Sequence, residues 1–236
     1  MNVTVNVLST LNIKHPKSSA FYLITFKQGN TMKLNRLFIG FALITLLSAC
    51  SKAPVPEEGK QYKRLPEAID STQFAPVTEV FSLSCIHCRN MEDIIPTLQQ
   101  AIGQDIAKMH VVFNQPSYVA AMFYYAAEMQ SNGTPDHQFM LDLFATFQMP
   151  KESSADEQTA AMLKVFESRG LVSPISYNEQ QLDELKKRVD QVELLSKQSE
   201  IQSVPTFIVK GKYEVITSGH DKKEDMSETI KFLLEK

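Results

Sequence analysis

Cysteine is scarce in this chain, with three residues among 236, at positions 50, 85 and 88. A disulfide framework is therefore excluded as the source of stability. Glycine is sparse as well: none of the eight stands in a spacing that cradles phosphate, which argues against a nucleotide site. The formal net charge is only −3, so there is no electrostatic case for nucleic acid. Long apolar runs are missing too. The uncharged stretch 37–49 has thirteen residues, short of the roughly 20 that a helix needs to span a bilayer. Internal repeats are absent, and no second linker divides the part after position 59.

What the chain does contain is a redox-capable pair. Cys85-Ile86-His87-Cys88 lies between the strand-like run 76–84, rich in β-branched and aromatic residues, and a run 89–102 with Met91, Ile94, Ile95, Leu98 and Ile102 at helical spacing. Cys85 thus sits where a helix begins, and free N–H groups and the positive end of the helix dipole there favour a thiolate. Cys88, one turn in, is expected to be the more buried thiol and to resolve mixed disulfides. Two cysteines three apart close a small ring and so hold or release two electrons. The alternative is a metal pair, but thiolate metal sites use three or four ligands and no second Cys-x-x-Cys exists. A Cu(I)-binding lipoprotein is the non-enzymatic form of that alternative.

Cys50 has its own explanation. Lys33 and Arg36 precede the apolar run, which ends Leu47-Ser48-Ala49-Cys50. This order matches a lipoprotein signal peptide at 32–49, with Cys50 lipidated as the new first residue. Residues 1–31 read as an upstream extension and Met32 as the start. Residues 50–59, with two prolines and two glutamates, read as a tether, and Ser51 in place of aspartate points to the outer membrane. The expected location is periplasm-facing and lipid-anchored, where the Cys85–Cys88 pair can persist as a disulfide.

The pattern then predicts strands at 60–65, 77–83 and 108–114, the second and third joined by the helix after Cys85. A helical block follows: 118–130, then a helix capped at Thr134-Pro135 and reaching about 148. Two more open on the capping-box patterns Ser154-x-x-Glu157 and Ser176-x-x-Glu179, reaching Arg169 and Ser199. Residues 206–209, a turn at Lys210-Gly211 and 212–216 form a hairpin, before a closing helix over 227–235. The methionines and aromatics of 122–125 and 139–144 read as core. Glu79 interrupts an otherwise buried central strand, where desolvation would raise its pKa and let it move protons for the cysteines.

This order resembles the DsbA-type periplasmic disulfide oxidoreductases, on Gly59-Lys-Gln-Tyr-Lys63, Val80-Phe-Ser-Leu-Ser-Cys-Ile-His-Cys88, Lys108-Met-His-Val111 and Ser203-Val-Pro-Thr-Phe-Ile-Val-Lys-Gly-Lys-Tyr213. The resemblance implies an α/β protein, a thioredoxin fold with an inserted helical subdomain: thioredoxin-fold parts at about 60–115 and 200–236, the insertion at about 116–199. It further implies a cis Val204–Pro205 bond facing the cysteines, His87 as a charge that stabilises the Cys85 thiolate, and a buried acid and lysine at Glu79 and Lys108. No cofactor is implied. The partners would be exported proteins with free thiols and a DsbB-like membrane oxidase. Valine before the proline goes with oxidases in this family, and the rival role with the same residues is reductase or isomerase. Ile86 stands where the family usually carries proline, which bears on how strongly oxidising the pair is.

Overall fold

The computed structural model describes residues 55–68 and 75–236. Five strands form one sheet in the order β1-β5-β4-β2-β3. They are β1 (Tyr62–Arg64), β2 (Val77–Phe81), β3 (Ala107–His110), β4 (Thr206–Val209) and β5 (Tyr213–Val215). β2 and β3 are parallel, as a helical crossover requires, while β4 runs antiparallel to both β2 and β5. The β4–β5 turn is Lys210-Gly211, both with positive φ (53° and 65°). Val209 pairs with Tyr213 across this connection, and glycine meets the left-handed conformation without a Cβ clash.

Both faces of the sheet are covered. All four residues of β4 are buried: Phe207 and Val209 pack into one core with Met226, Ile230 and Leu233 of the last helix α7 (Met226–Glu235). Ile208, pointing the other way, joins a second core with the helical insertion. The insertion comprises α3 (Gln115–Ser131), α4 (His137–Phe147), α5 (Ala155–Glu167) and α6 (Glu179–Gln198). Phe123, Tyr124, Tyr125, Phe139, Met140 and Phe144 are all buried there, while Met122 packs half-buried at the edge. The fold is thus a thioredoxin fold with a helical insertion.

Several local expectations are corrected. The helix after Cys85 is two helices, α1 (Ile86–Glu92) and α2 (Ile95–Ile102). Pro96 is the cause. It has no N–H to give the Glu92 carbonyl and its ring crowds that oxygen, so the ladder stops at Asp93 and restarts with proline in the first turn. β3 ends at His110 rather than 114, because Asn114 is the extended N-cap of α3 in a reciprocal capping box with Ser117. α4 is capped by Asp136, whose side chain accepts from Phe139 N at 2.8 Å, and not by Thr134. α6 opens on Asn178 and Gln181, also reciprocal, whereas Ser176 belongs to a 3-10 turn, Pro174–Ser176. Ser154 and Glu157 do form their box, and Gly170 (φ 67°) follows the end of α5.

Candidate active site

β2 ends at Phe81, and the next four residues deliver Cys85 to the start of α1 through two side-chain clamps. Leu83 N donates to His110 Nε2 at 2.9 Å, and Leu83 O accepts from Gln148 Nε2 at 2.9 Å. Gln148 also donates to Cys85 O at 3.2 Å. The two side chains come from opposite sides: His110 ends β3, and Gln148 caps α4 in the insertion. Because Nε2 of His110 accepts, its proton resides on Nδ1 and is donated to Val111 O at 2.9 Å. Full burial pushes the His110 pKa down to about 3, so the ring is neutral. Sequence reading assigned no role to either residue, since neither lies near the cysteines in the chain.

Cys85 is the N-cap of α1, extended (φ −94°, ψ 113°), with its sulfur accepting Cys88 N at 3.2 Å. Both cysteines are free thiols, Cys85 half-buried and Cys88 fully buried. Their acidities diverge accordingly. The Cys85 pKa falls to about 6, first through a hydrogen bond from the Cys88 thiol. The Cys88 and His87 N–H groups and the His87 charge add to this, against partial desolvation. The Cys88 pKa rises instead, because burial strips water from its thiolate and Cys85 takes its hydrogen bond. His87 is exposed in the first turn of α1, as is Ile86.

The Cys85 thiol donates to Val204 O at 3.6 Å, across a cis Val204–Pro205 peptide bond. A hollow beside the sulfur is lined by Ser84, Phe113, Pro116 and Val204. Phe113 is half-exposed there.

Glu79 and Lys108 face one another in register across β2 and β3, buried at 1% and 5% exposure. Lys108 Nζ bonds Glu79 Oε2 and, at 2.7 Å, Glu92 Oε2. Glu92 comes from α1 and is as buried as the others. Two carboxylates share one ammonium, so one negative charge is unbalanced. Burial raises the Glu79 pKa, outweighing Lys108, while its two carboxylate neighbours hold Lys108 protonated. The Glu79 charge also reaches Cys88 and raises its pKa further. Glu92 went unread in the sequence, being one helical turn beyond Cys88 on a face that looked polar.

Four of the seven residues singled out at the sulfur chemistry therefore meet around it, namely Cys85, Cys88, Val204 and Pro205. His87 stands exposed beside them, and Glu79 with Lys108 lies beneath. Cys50 is outside the described residues. Among the described residues no group of three or more potential metal ligands occurs, and no helix is long and apolar enough to cross a membrane.

A vicinal dithiol at a helix start, opposed by a proline loop on a mixed five-stranded sheet, defines a thioredoxin-fold redox protein. The family model described as Thioredoxin matches residues 71–231, and the chain belongs to that family. Within it, the chain is of the DsbA type. It is 24% identical over 214 residues to the thiol:disulfide interchange protein DsbA of Salmonella typhimurium, covering 86% of this chain and 100% of that one. Pseudomonas aeruginosa DsbA superposes with a TM-score of 0.60 at 20% identity, over 76% of this chain and 93% of that one. DsbL of Salmonella enterica superposes at 0.58 and 18% identity, over 78% and 100%. The chain is accordingly a DsbA-type oxidoreductase with Cys85 and Cys88 as its Cys-x-x-Cys pair.

Proposed function

We propose that the protein donates the Cys85–Cys88 disulfide to exported proteins on the periplasmic side of a membrane, held there by lipid on Cys50. The division of labour between the thiols carries this reading: Cys85 is accessible and stable as a thiolate, Cys88 is buried and held as a thiol. A good leaving thiolate at Cys85 is what lets a disulfide act as an oxidant.

In the proposed cycle a substrate thiolate attacks Cys85 Sγ, the Cys85–Cys88 bond breaks, and Cys88 leaves, taking up a proton. A second substrate thiolate then attacks the substrate sulfur of the mixed disulfide, and Cys85 departs as a thiolate. Two electrons pass from substrate to protein. Glu79 is the proton-handling group for Cys88, and Lys108 holds it in place. Val204 and Pro205 face the incoming peptide, with Val204 offering main-chain groups to an extended segment. The half-exposed Phe113 and the exposed Ile86 flank the sulfur with apolar surface suited to an unfolded chain. A DsbB-like membrane oxidase would regenerate the disulfide.

Equilibration with glutathione tests the direction. An oxidant more readily reduced than glutathione disulfide is expected; a potential near that of thioredoxin, about −270 mV, would instead assign a reductase. The anchor is tested separately, since Cys50→Ala should release the protein from membranes. A native protein that still carries its first 49 residues would exclude the anchor. Loss of reactivity at Cys85 on adding one equivalent of Cu(I), with no oxidation of reduced substrate proteins, would favour the copper-binding alternative.

A further inference from the structure

Leu83 lies in the short link between β2 and α1 and is fully buried, so both of its main-chain polar groups need partners inside the protein. Both partners are side chains from other elements. His110 takes the N–H, and Gln148 serves the carbonyl. The same Gln148 amide reaches the carbonyl of Cys85 at 3.2 Å. Its two neighbours are carbonyl oxygens, so the amide must present its NH2 group, which has one hydrogen for each. Gln148 is itself held in place. Its N–H donates to Phe144 O at 3.0 Å, and Phe144 packs edge-on against Phe81, the last residue of β2, with ring centroids 5.9 Å apart.

The geometry points to Gln148 as a positioning residue for the sulfur chemistry: by holding Leu83 O and Cys85 O together, it fixes the start of α1 in the shape that gathers N–H groups around Cys85 Sγ. This deepens the functional reading above and rests on it. Cys85 O already accepts the first-turn N–H groups of Cys88 and Arg89, each at 3.1 Å, and Cys85 N donates to Ser82 O at 3.0 Å. Gln148 adds a tie from the insertion, so the peptide plane between Cys85 and Ile86 is held from two directions. A tilt of that plane would carry Cys85 Sγ away from Cys88 N, which lies 3.2 Å from it. The thiolate would lose a donor. In the second step of the cycle the bond between Cys85 and the substrate sulfur breaks and its electron pair stays on Cys85. A lost donor makes Cys85 a poorer leaving group and the disulfide a weaker oxidant.

Two features separate this role from ordinary helix capping. The last carbonyls of α4 are there for a helix-end side chain to serve, yet Gln148 gives its amide to two carbonyls outside α4. Gln148 also carries no charge, so it acts on Cys85 through the shape of the link alone. The titratable groups whose charge or hydrogen bonds reach Cys85 are His87 and Cys88 on α1 and Glu79 on β2. Among the described residues the Gln148 amide is bonded to none of these side chains, only to the two carbonyls. Removing it therefore leaves the charges around the sulfur as they are.

The test reads Cys85 in the full chain. Gln148→Met keeps the length and neutrality of the side chain but offers no N–H. Gln148→Asn keeps the amide one carbon short, and it decides the matter by the same readings where the first variant does not fold. Followed by thiolate ultraviolet absorbance, the Cys85 titration of the reduced protein should move up from about 6 by about half a pH unit, which is about threefold in acidity. The equilibrium constant with glutathione should move about as far, toward a less oxidising protein. Phe166→Leu is the comparison. It loosens the core of the insertion, where Phe166 packs on Phe123 and Phe139, and leaves both Gln148 bonds in place. It should lower the urea midpoint and leave the titration and the glutathione equilibrium unchanged. A Gln148 variant that titrates and equilibrates like the wild type overturns the proposal. So does an equal shift in Phe166→Leu, because that marks a general loosening. The titration needs no substrate, whereas a wild-type protein that oxidises no reduced substrate protein overturns the functional reading, so the two failures are told apart.

Discussion

Cys85 and Cys88 are one helical turn apart, and their chemistry separates because one caps the helix and the other is inside it. The sulfur of Cys85 collects hydrogen bonds; that of Cys88 loses water. Alkylation of the reduced protein by iodoacetamide should therefore be confined to Cys85 and follow a titration centred near pH 6, the value to which its pKa is lowered. Preferential labelling of Cys88 in mild acid would contradict the assignment. Ile86 sits between them, exposed, and lacks proline's backbone constraint. Ile86→Pro should shift the glutathione equilibrium toward a more oxidising protein with the fold intact, as read by unchanged circular dichroism. The buried acids make a second residue-scale contrast. Glu79→Gln removes one of the two carboxylates that share Lys108 and leaves Glu92 to balance it, so it should cost less than about 1 kcal/mol at pH 7. Lys108→Met leaves two buried carboxylates without a counter-ion and should cost roughly 3–5 kcal/mol. Urea unfolding of the reduced variants measures both, and equal losses would refute this account of the charge balance.

At the scale of elements, caps decide where helices start, and the insertion offers a paired comparison. Asn114 accepts from Ser117 N at 3.0 Å while Ser117 Oγ accepts from Asn114 N at 2.9 Å, whereas Ser176 sits in a 3-10 turn with no side-chain cap bond. Asn114→Ala should lower stability by about 1 kcal/mol and Ser176→Ala by a few tenths at most, in denaturant titrations of otherwise identical protein. The same comparison shows how far sequence reaches. The hairpin was legible because Lys210-Gly211 is a local signal between two apolar runs, and the active-site helix start because Cys85 follows a strand pattern. The capping-box pattern at Ser176 misled because Asn178-x-x-Gln181 offers the same chemistry two residues on, and the preceding Pro174 favours a 3-10 turn. Pro96 was visible but outvoted by the apolar spacing that runs through it. Leu83's two clamps were not legible at all. His110 and Gln148 lie 27 and 65 residues from Leu83, and only the closed sheet and docked insertion bring them together. Glu79 could be noticed as a charge in a buried strand, but Glu92, which shares Lys108 with it, could not, because its burial depends on α1 packing against α4.

For the whole molecule, redox state and stability are linked through the same sulfur. In the reduced protein the folded pKa of Cys85 is about 6, against 9.0 for an unperturbed thiol. A lowered folded pKa contributes stability that is full above the unfolded value, shrinks as pH falls between the two, and vanishes below the folded one. At pH 7 this amounts to about 1 kcal/mol, after discounting for a thiolate that is half in contact with water. The oxidised protein has no thiolate and gains none of it. Its small ring, closed over so few residues, restricts the unfolded chain only modestly. His110 works on both forms alike: its folded pKa is held down to about 3, so it destabilises the fold progressively as pH drops below about 6.5, the unfolded value, whatever the state of the cysteines. Acid should therefore weaken both forms, and the difference between them isolates Cys85. The reduced protein is expected to unfold at the higher urea concentration at pH 7, by a margin that widens toward pH 9 and closes below pH 6. An oxidised form that is clearly the more stable at pH 7 would make the Cys85–Cys88 disulfide a poor oxidant and reverse the proposed direction of electron flow.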